Sequence, residues 1–322
     1  MTIDSNLTRH TSVTSTSGRP RETNGAEFHR LARARTGHRW WKPLLVGVVA
    51  AVIYVASFLL LMVVLGIGGG VFPAFENVMG RFLQDPDTVD LSDPFSFAFA
   101  MGMLILWIPS LLLATRLVGP RPVSLLASVV GRLRWRWLVR CGVVALSIYA
   151  VAYAASILVA VAQGESFVPE IDMPRVLLLL GLTIVLVPLQ SAAEEYVFRG
   201  YLMQMIGSWL RHPAFAILLP VPLFVLGHGY GPLGTTDVAV FAIAAGWLTW
   251  RTGGLEAAIA LHVVGNVSVF ALAAVGLLDV NATEVGVASL LVSIAVTLTF
   301  VTVVARLARR HSIERRAVSS DG

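Results

Sequence analysis

The chain has 322 residues, of which 56% are hydrophobic and only 13% charged, with a net charge of +5 and a mean hydropathy of +0.77. A typical soluble domain is about a quarter charged, and one water-soluble core could not bury this much apolar surface, so a disordered chain, a nucleic-acid-binding module and a compact soluble enzyme are set aside. Cys141 is the single cysteine, which excludes an internal disulfide framework and any multi-cysteine metal site.

In chain order, residues 1–42 read as a disordered cytosolic arm, Ser/Thr-rich from Thr8 to Ser17 and arginine-rich toward the membrane, where anionic lipid attracts it. Apolar runs then recur near 43–67, 95–115, 138–162, 175–193, 213–229, 236–250, 254–277 and 285–305. A hydrocarbon core of about 30 Å needs about 20 residues of helix, so the expected fold is all-α: a polytopic membrane bundle of about eight transmembrane helices with a buried polar cavity. The membrane domain extends over 43–306, with the chemically interesting core at 175–277, and a basic cytosolic tail occupies 307–322. The first run is too long for the apolar part of a cleaved signal peptide and follows a polar arm of some forty residues.

Charge alternates along the connections. Arg9, Arg19, Arg21, Arg30, Arg33, Arg35, Arg39 and Lys42 precede the first run; Arg116, Arg121, Arg132, Arg134, Arg136 and Arg140 follow the second; Arg306, Arg309, Arg310, Arg315 and Arg316 lie in the tail. The segments after the first and third runs carry mainly acids, such as Asp85, Asp87, Asp90 and Glu165. The positive-inside rule then places both termini and the second connection in the cytosol, as expected for a multi-pass protein of the plasma membrane.

An ionisable group inside a bilayer is costly, so such groups usually face the bundle interior and serve function. Glu194, Glu195, Arg199, His228 and His262, with the amide Asn266, lie in or beside apolar runs of the second half, whereas the first three runs have no charge at their centres. Glu195 and Arg199 are four apart and share a helix face, so they can pair. Glu194 points about 100° away; without a local cation it is a carboxylate that can accept a proton near neutral pH. The plainer reading is that both acids sit at the interface and end the span. His262 and Asn266, also four apart, can present an imidazole and an amide to one atom. A base for water and donors for an oxyanion are what amide hydrolysis requires.

Glu194-Glu195-x-x-x-Arg199, Phe224-x-x-x-His228 and His262-x-x-x-Asn266, together with Phe198-Arg199-Gly200 and Thr252-Gly253-Gly254-Leu255, resemble the three motifs of the CPBP (Abi) intramembrane proteases, which include the type 2 CAAX prenyl proteases and bacteriocin-processing relatives. The resemblance covers about residues 175–270. It implies an eight-helix membrane endopeptidase acting on a membrane-associated or lipidated peptide or protein in contact with membrane lipid. Carried over, Glu194 is the base that activates water, His228 helps position that water, His262 and Asn266 are oxyanion donors, and Glu195 and Arg199 support the geometry. The family has been described both as metal-dependent and as using glutamate directly. Glu194, His228 and His262 would be the zinc ligands if a metal is needed, but the H-E-x-x-H spacing of common zinc proteases is absent, which favours the reading without a cofactor.

Two other classes compete: a non-catalytic scaffold or immunity-type protein of the same family, and a proton-coupled transporter, for which inverted repeats are not apparent. One geometric tension accompanies the expectation. If the fourth span ends at Glu194 and the fifth starts at Pro213, His228 lies about 22 Å deeper at about 1.5 Å per residue, too far to share a water. Either 200–212 re-enters the membrane, or the fifth span breaks near Pro220 and Pro222, or the orientation of these loops differs.

Overall fold

The computed structural model describes residues 25–35, 37–69, 80, 89–164 and 172–317. It is all-helical; among the described residues there is no strand, only the isolated bridges Glu27 with Arg316 and Ser128 with Gly254. After a 3-10 turn at Phe28–Arg30 come α1 (Leu31–Ala34), α2 (Lys42–Gly69), α3 (Pro94–Ile105), α4 (Trp107–Val118) and α5 (Trp135–Ala162). Next come α6 (Met173–Glu195), a π-helical stretch Tyr196–Leu202, α7 (Met203–Trp209), α8 (Pro213–Leu218), α9 (Val221–Leu226), α10 (Pro232–Thr252), α11 (Glu256–Ala274) and α12 (Val287–Arg310).

Seven helical runs among the described residues are long and apolar enough to cross a membrane. Asp93 caps the second of these by accepting from the Ser96 amide at 2.8 Å, with Pro94 in the first turn. Its break at Leu106 follows from Pro109, which lacks the amide proton that the carbonyl four residues earlier would accept.

Two expectations are corrected. The fourth crossing does not end near 193: helix continues from Met173 to Trp209 over 37 residues. Polar side chains from Gln190 to Gln204 lower the local hydropathy without ending the helix, because Gln190, Glu195, Arg199 and Gln204 find partners on other segments of the bundle. The fifth run is no full span, but the short pair α8 and α9, interrupted at Leu219 and Pro220. Pro220 and Pro222 remove two helical amide donors there. Both corrections remove the depth conflict. Glu194 lies fifteen residues before Trp209, and His228 fifteen residues after Pro213, so the chain rises and returns by similar distances, about 22 Å each way.

Two ends of the bundle are tied differently. At one, Ala317 donates its amide to Ala26 O (2.9 Å), Val129 to Gly253 O (2.8 Å) and Leu255 to Ala127 O (2.9 Å). At the other, Arg175 bonds Ser92 (2.8 Å), Leu91 bonds Asn281 (2.9 Å) and Gly231 bonds Thr283 O (3.0 Å). The described parts of both termini and the connection 119–134 therefore share one end, and the Pro213–Gly231 stretch supplies the passage between ends that the seven long helices do not.

Residues 1–24 of the expected arm lie outside the described residues, but its second part is folded: Phe28, His29 and Leu31 are buried against α7. His29 Nε2 meets Arg211 O at 3.0 Å, and Glu27 accepts from Trp250 Nε1 (3.3 Å) and Arg316 (3.2 Å). The core centres on α11, whose Ala257, Ala258 and Ala260 are buried against neighbouring helices; small residues permit such close approach in membrane bundles.

Candidate active site

The polar residues meet where α6 faces α11. Glu195, fully buried, accepts on Oε1 both from Arg199 Nη1 (2.9 Å) and from His262 Nδ1 (2.8 Å). Glu195 is negatively charged beside the guanidinium, so Nδ1 is the donor and the other ring nitrogen, Nε2, points to Glu194, whose Oε2 is 3.5 Å away. Arg199 also donates to Ala242 O (3.3 Å) and lies over the rings of Phe224 (4.4 Å) and Phe241 (5.4 Å). Its charge is thus offset by a carboxylate and by two aromatic faces.

One turn on, Asn266 Nδ2 donates to Gln190 Oε1 at 3.3 Å. Gln190 and Glu194 are themselves four apart on α6, so two i,i+4 pairs on antiparallel helices form one polar patch. Glu194 Oε2 and Glu195 Oε2 are buried with no hydrogen-bond partner among the described residues. They are the acceptors that remain open to a reacting group.

His228 follows α9. Its Nδ1 donates to Phe224 O at 2.7 Å, the ring lies tilted against Phe224 (4.6 Å between centroids), and Phe224 also contacts the His262 ring edge-to-face (6.2 Å). His228 is within electrostatic range of Glu194 and His262. The broken fifth passage thus brings the second motif to the first and third through Phe224.

The glycines of the motifs have packing roles. A Cβ on Gly200 would sit 3.1 Å from Leu126 O, so this residue lets the 119–134 connection lie against the helix. Gly253 takes a left-handed φ of +68° where α10 stops, and a Cβ on Gly254 would collide with the Arg134 and Glu256 side chains.

All six expected residues are therefore in one region, though not all in direct contact. Gln190 is not among the expected residues; a polar residue one turn before Glu194 was the available signal. The possible zinc set fares differently. Among the described residues no group of three His, Cys, Asp or Glu side chains is placed to hold one ion. His228 and His262 each engage Nδ1 with a protein acceptor and keep Nε2 as the ring nitrogen that could ligate.

The fold and the patch define a polytopic membrane protein with a buried carboxylate, imidazole and amide constellation. Residues 174–268 match the family described as Type II CAAX prenyl endopeptidase Rce1-like, and the family likeness read from the three motifs holds over this segment. Among curated proteins, the chain is 27% identical over 191 residues to the uncharacterized protein YyaK of Bacillus subtilis (strain 168). The alignment covers 56% of this chain and 63% of YyaK, so the chain spans less than two thirds of that relative. No solved structure matches.

Proposed function

We propose that the protein is an intramembrane endopeptidase that hydrolyses a peptide bond of a membrane-associated or lipidated substrate. The observation that carries this reading is the placement of His262 between Glu194 and Glu195, with Glu195 locked by Arg199. Glu194 takes a proton from water while the resulting hydroxide attacks the scissile carbonyl carbon, and the carbonyl electrons move to oxygen. His262, an imidazolium from the outset, donates from Nε2 to that oxygen without giving up the proton, and Asn266 leaves Gln190 to donate from Nδ2. Collapse of the tetrahedral adduct re-forms the carbonyl and expels the amine, which receives the proton from Glu194. His228, held through Nδ1 by Phe224 O, orients the water. Glu195 and Arg199 hold the His262 ring in the required orientation. In this reading the basic end of the bundle faces the cytosol.

The test compares membrane peptidomes of cells carrying the wild type and Glu194→Ala. An uncleaved precursor should accumulate in the variant while its melting temperature in detergent stays close to wild type. Identical peptidomes from two folded proteins would replace the protease reading with the scaffold.

A further inference from the structure

We infer that Arg35 heads a separate anion-binding cleft at the basic end of the bundle, suited to the phosphate of an anionic lipid or to a free phosphate. Arg35 is 7% exposed. Its Nη1 donates to Pro120 O (2.9 Å) and its Nη2 to Gln204 Oε1 (3.1 Å), both neutral acceptors, while Nε is buried with no partner among the described residues. The guanidinium has five N–H donors, so three remain uncommitted.

The other buried arginine, Arg199, has a carboxylate of its own chain, and so does the nearly buried Arg134: Glu195 at 2.9 Å and Glu256 at 2.7 Å, respectively. No described acid pairs with Arg35. Burial pulls it down to about 10, still well above neutrality, so the side chain remains a cation. Taking an unpaired charge out of water costs several kcal/mol, and none of the described acids offsets it, which leaves the site open to an added anion.

The surroundings suit an oxyanion. Gln204 cannot turn its amide donors toward Arg35, because its Nε2 donates to Leu125 O at 2.8 Å. The acceptors holding Arg35 therefore orient the fork without neutralising it, and a guanidinium fork matches phosphate. Arg35 lines a narrow cleft of about 20 Å³ whose other walls include Val46, Leu126 and Met205. Such a cleft has one cationic end and largely apolar sides; it admits an oxygen of a phosphate toward the guanidinium while the rest of the anion stays outside it. Trp40 and Trp41, 69% and 44% exposed beside the start of α2, are aromatics of the kind that sit at headgroup level.

The test uses full-length protein stripped of lipid in a neutral detergent. Its melting temperature and binding are measured with short-chain phosphatidylglycerol, short-chain phosphatidylcholine and inorganic phosphate. Phosphatidylglycerol should bind at least about 10-fold more tightly to the wild type than to Arg35→Met, whereas the exposed control Arg33→Gln should remain within about 2-fold. Without lipid, Arg35→Met should melt higher than the wild type, since an apolar chain replaces an uncancelled charge; with phosphatidylglycerol the order should reverse. Stabilisation by phosphatidylglycerol but not by inorganic phosphate identifies the lipid as the source, and equal stabilisation by both identifies the free anion. Equal binding by wild type and Arg35→Met would overturn the inference. So would phosphatidylglycerol binding that tightens markedly in Asp4→Asn/Glu22→Gln, which would place the counter-charge in the chain's own N-terminal segment.

Discussion

Arg134 with Glu256, and Arg199 with Glu195, are the same chemical pair in one bundle, both removed from water and differently bonded. Glu256, at the first position of α11, accepts on Oε1 from the Arg134 amide (2.9 Å) and Nε (2.8 Å) and on Oε2 from Nη2 (2.7 Å). Arg134 spends further donors on Thr252 O and Glu314 O, so both carboxylate oxygens and four of the five guanidinium donors are engaged and three segments are pinned together. Glu195 uses one oxygen for Arg199 and His262 and leaves the other open, beside an equally open oxygen of Glu194. A saturated buried pair fixes structure, whereas an unsaturated one retains an acceptor for chemistry.

That contrast can be broken by exchanging the expected losses. The largest effect on stability should come from Glu256→Ala, which leaves Arg134 buried without its partner and should cost about 3–5 kcal/mol; chemical unfolding in detergent measures it. Glu194→Gln should do the opposite: cleavage of the natural precursor falls by about 10²–10⁴-fold while unfolding is nearly unchanged. If Glu256→Ala folds normally or Glu194→Gln unfolds, saturation does not separate the two roles.

Smaller effects sharpen the comparison. Asn266→Ala should lower kcat by about 10²–10³-fold with little change in KM, as removal of one oxyanion donor does. Gln190→Leu, which frees Asn266 rather than removing it, should cost less. The smallest effect belongs to the clamp around Glu27 and His29. Burial raises the Glu27 carboxyl, but hydrogen bonds from Trp250 and Arg316 outweigh it and hold the group below 4.5. Burial holds His29 below 6.5 despite its bond to Arg211 O. The fold therefore favours neutral His29 and ionised Glu27. Melting temperature should first fall as pH drops below about 6.5, where the unfolded histidine takes a proton that the folded one refuses. It should fall again as Glu27 is protonated below 4.5; Glu27→Gln should remove this second step and deepen the first, because the Glu27 charge raises His29.

How much of this was legible depended on what each residue faces. α2, α5 and α12 present apolar side chains to lipid along most of their length, so their composition is a direct readout. The Met173–Trp209 helix was cut short on paper because Glu194, Glu195, Arg199 and Gln204 resemble a span's end; only their partners on other segments explain why the helix continues. Within the site, Glu195–Arg199 and His262–Asn266 were visible as i,i+4 pairs on single helices. The contact of His262 with Glu195 spans 67 positions and exists only once α6 and α11 pack. Glu256 escaped notice because an acid at the head of a span resembles an interfacial residue. Phe28 and Leu31 escaped because two apolar positions in a basic arm are too few to show a period.

The π-helical stretch Tyr196–Leu202 holds more residues per turn than the α-helix on either side. It is therefore a place where the chain could lose one residue and heal as ordinary helix. Such a deletion would leave both helical content and phase nearly intact, because the wide turn already absorbs its extra residue, so Gln204 would stay against Arg35 and the Gly207 surface against His29. The width of this one turn thus keeps the Glu194-bearing half of the helix in phase with its anchored half.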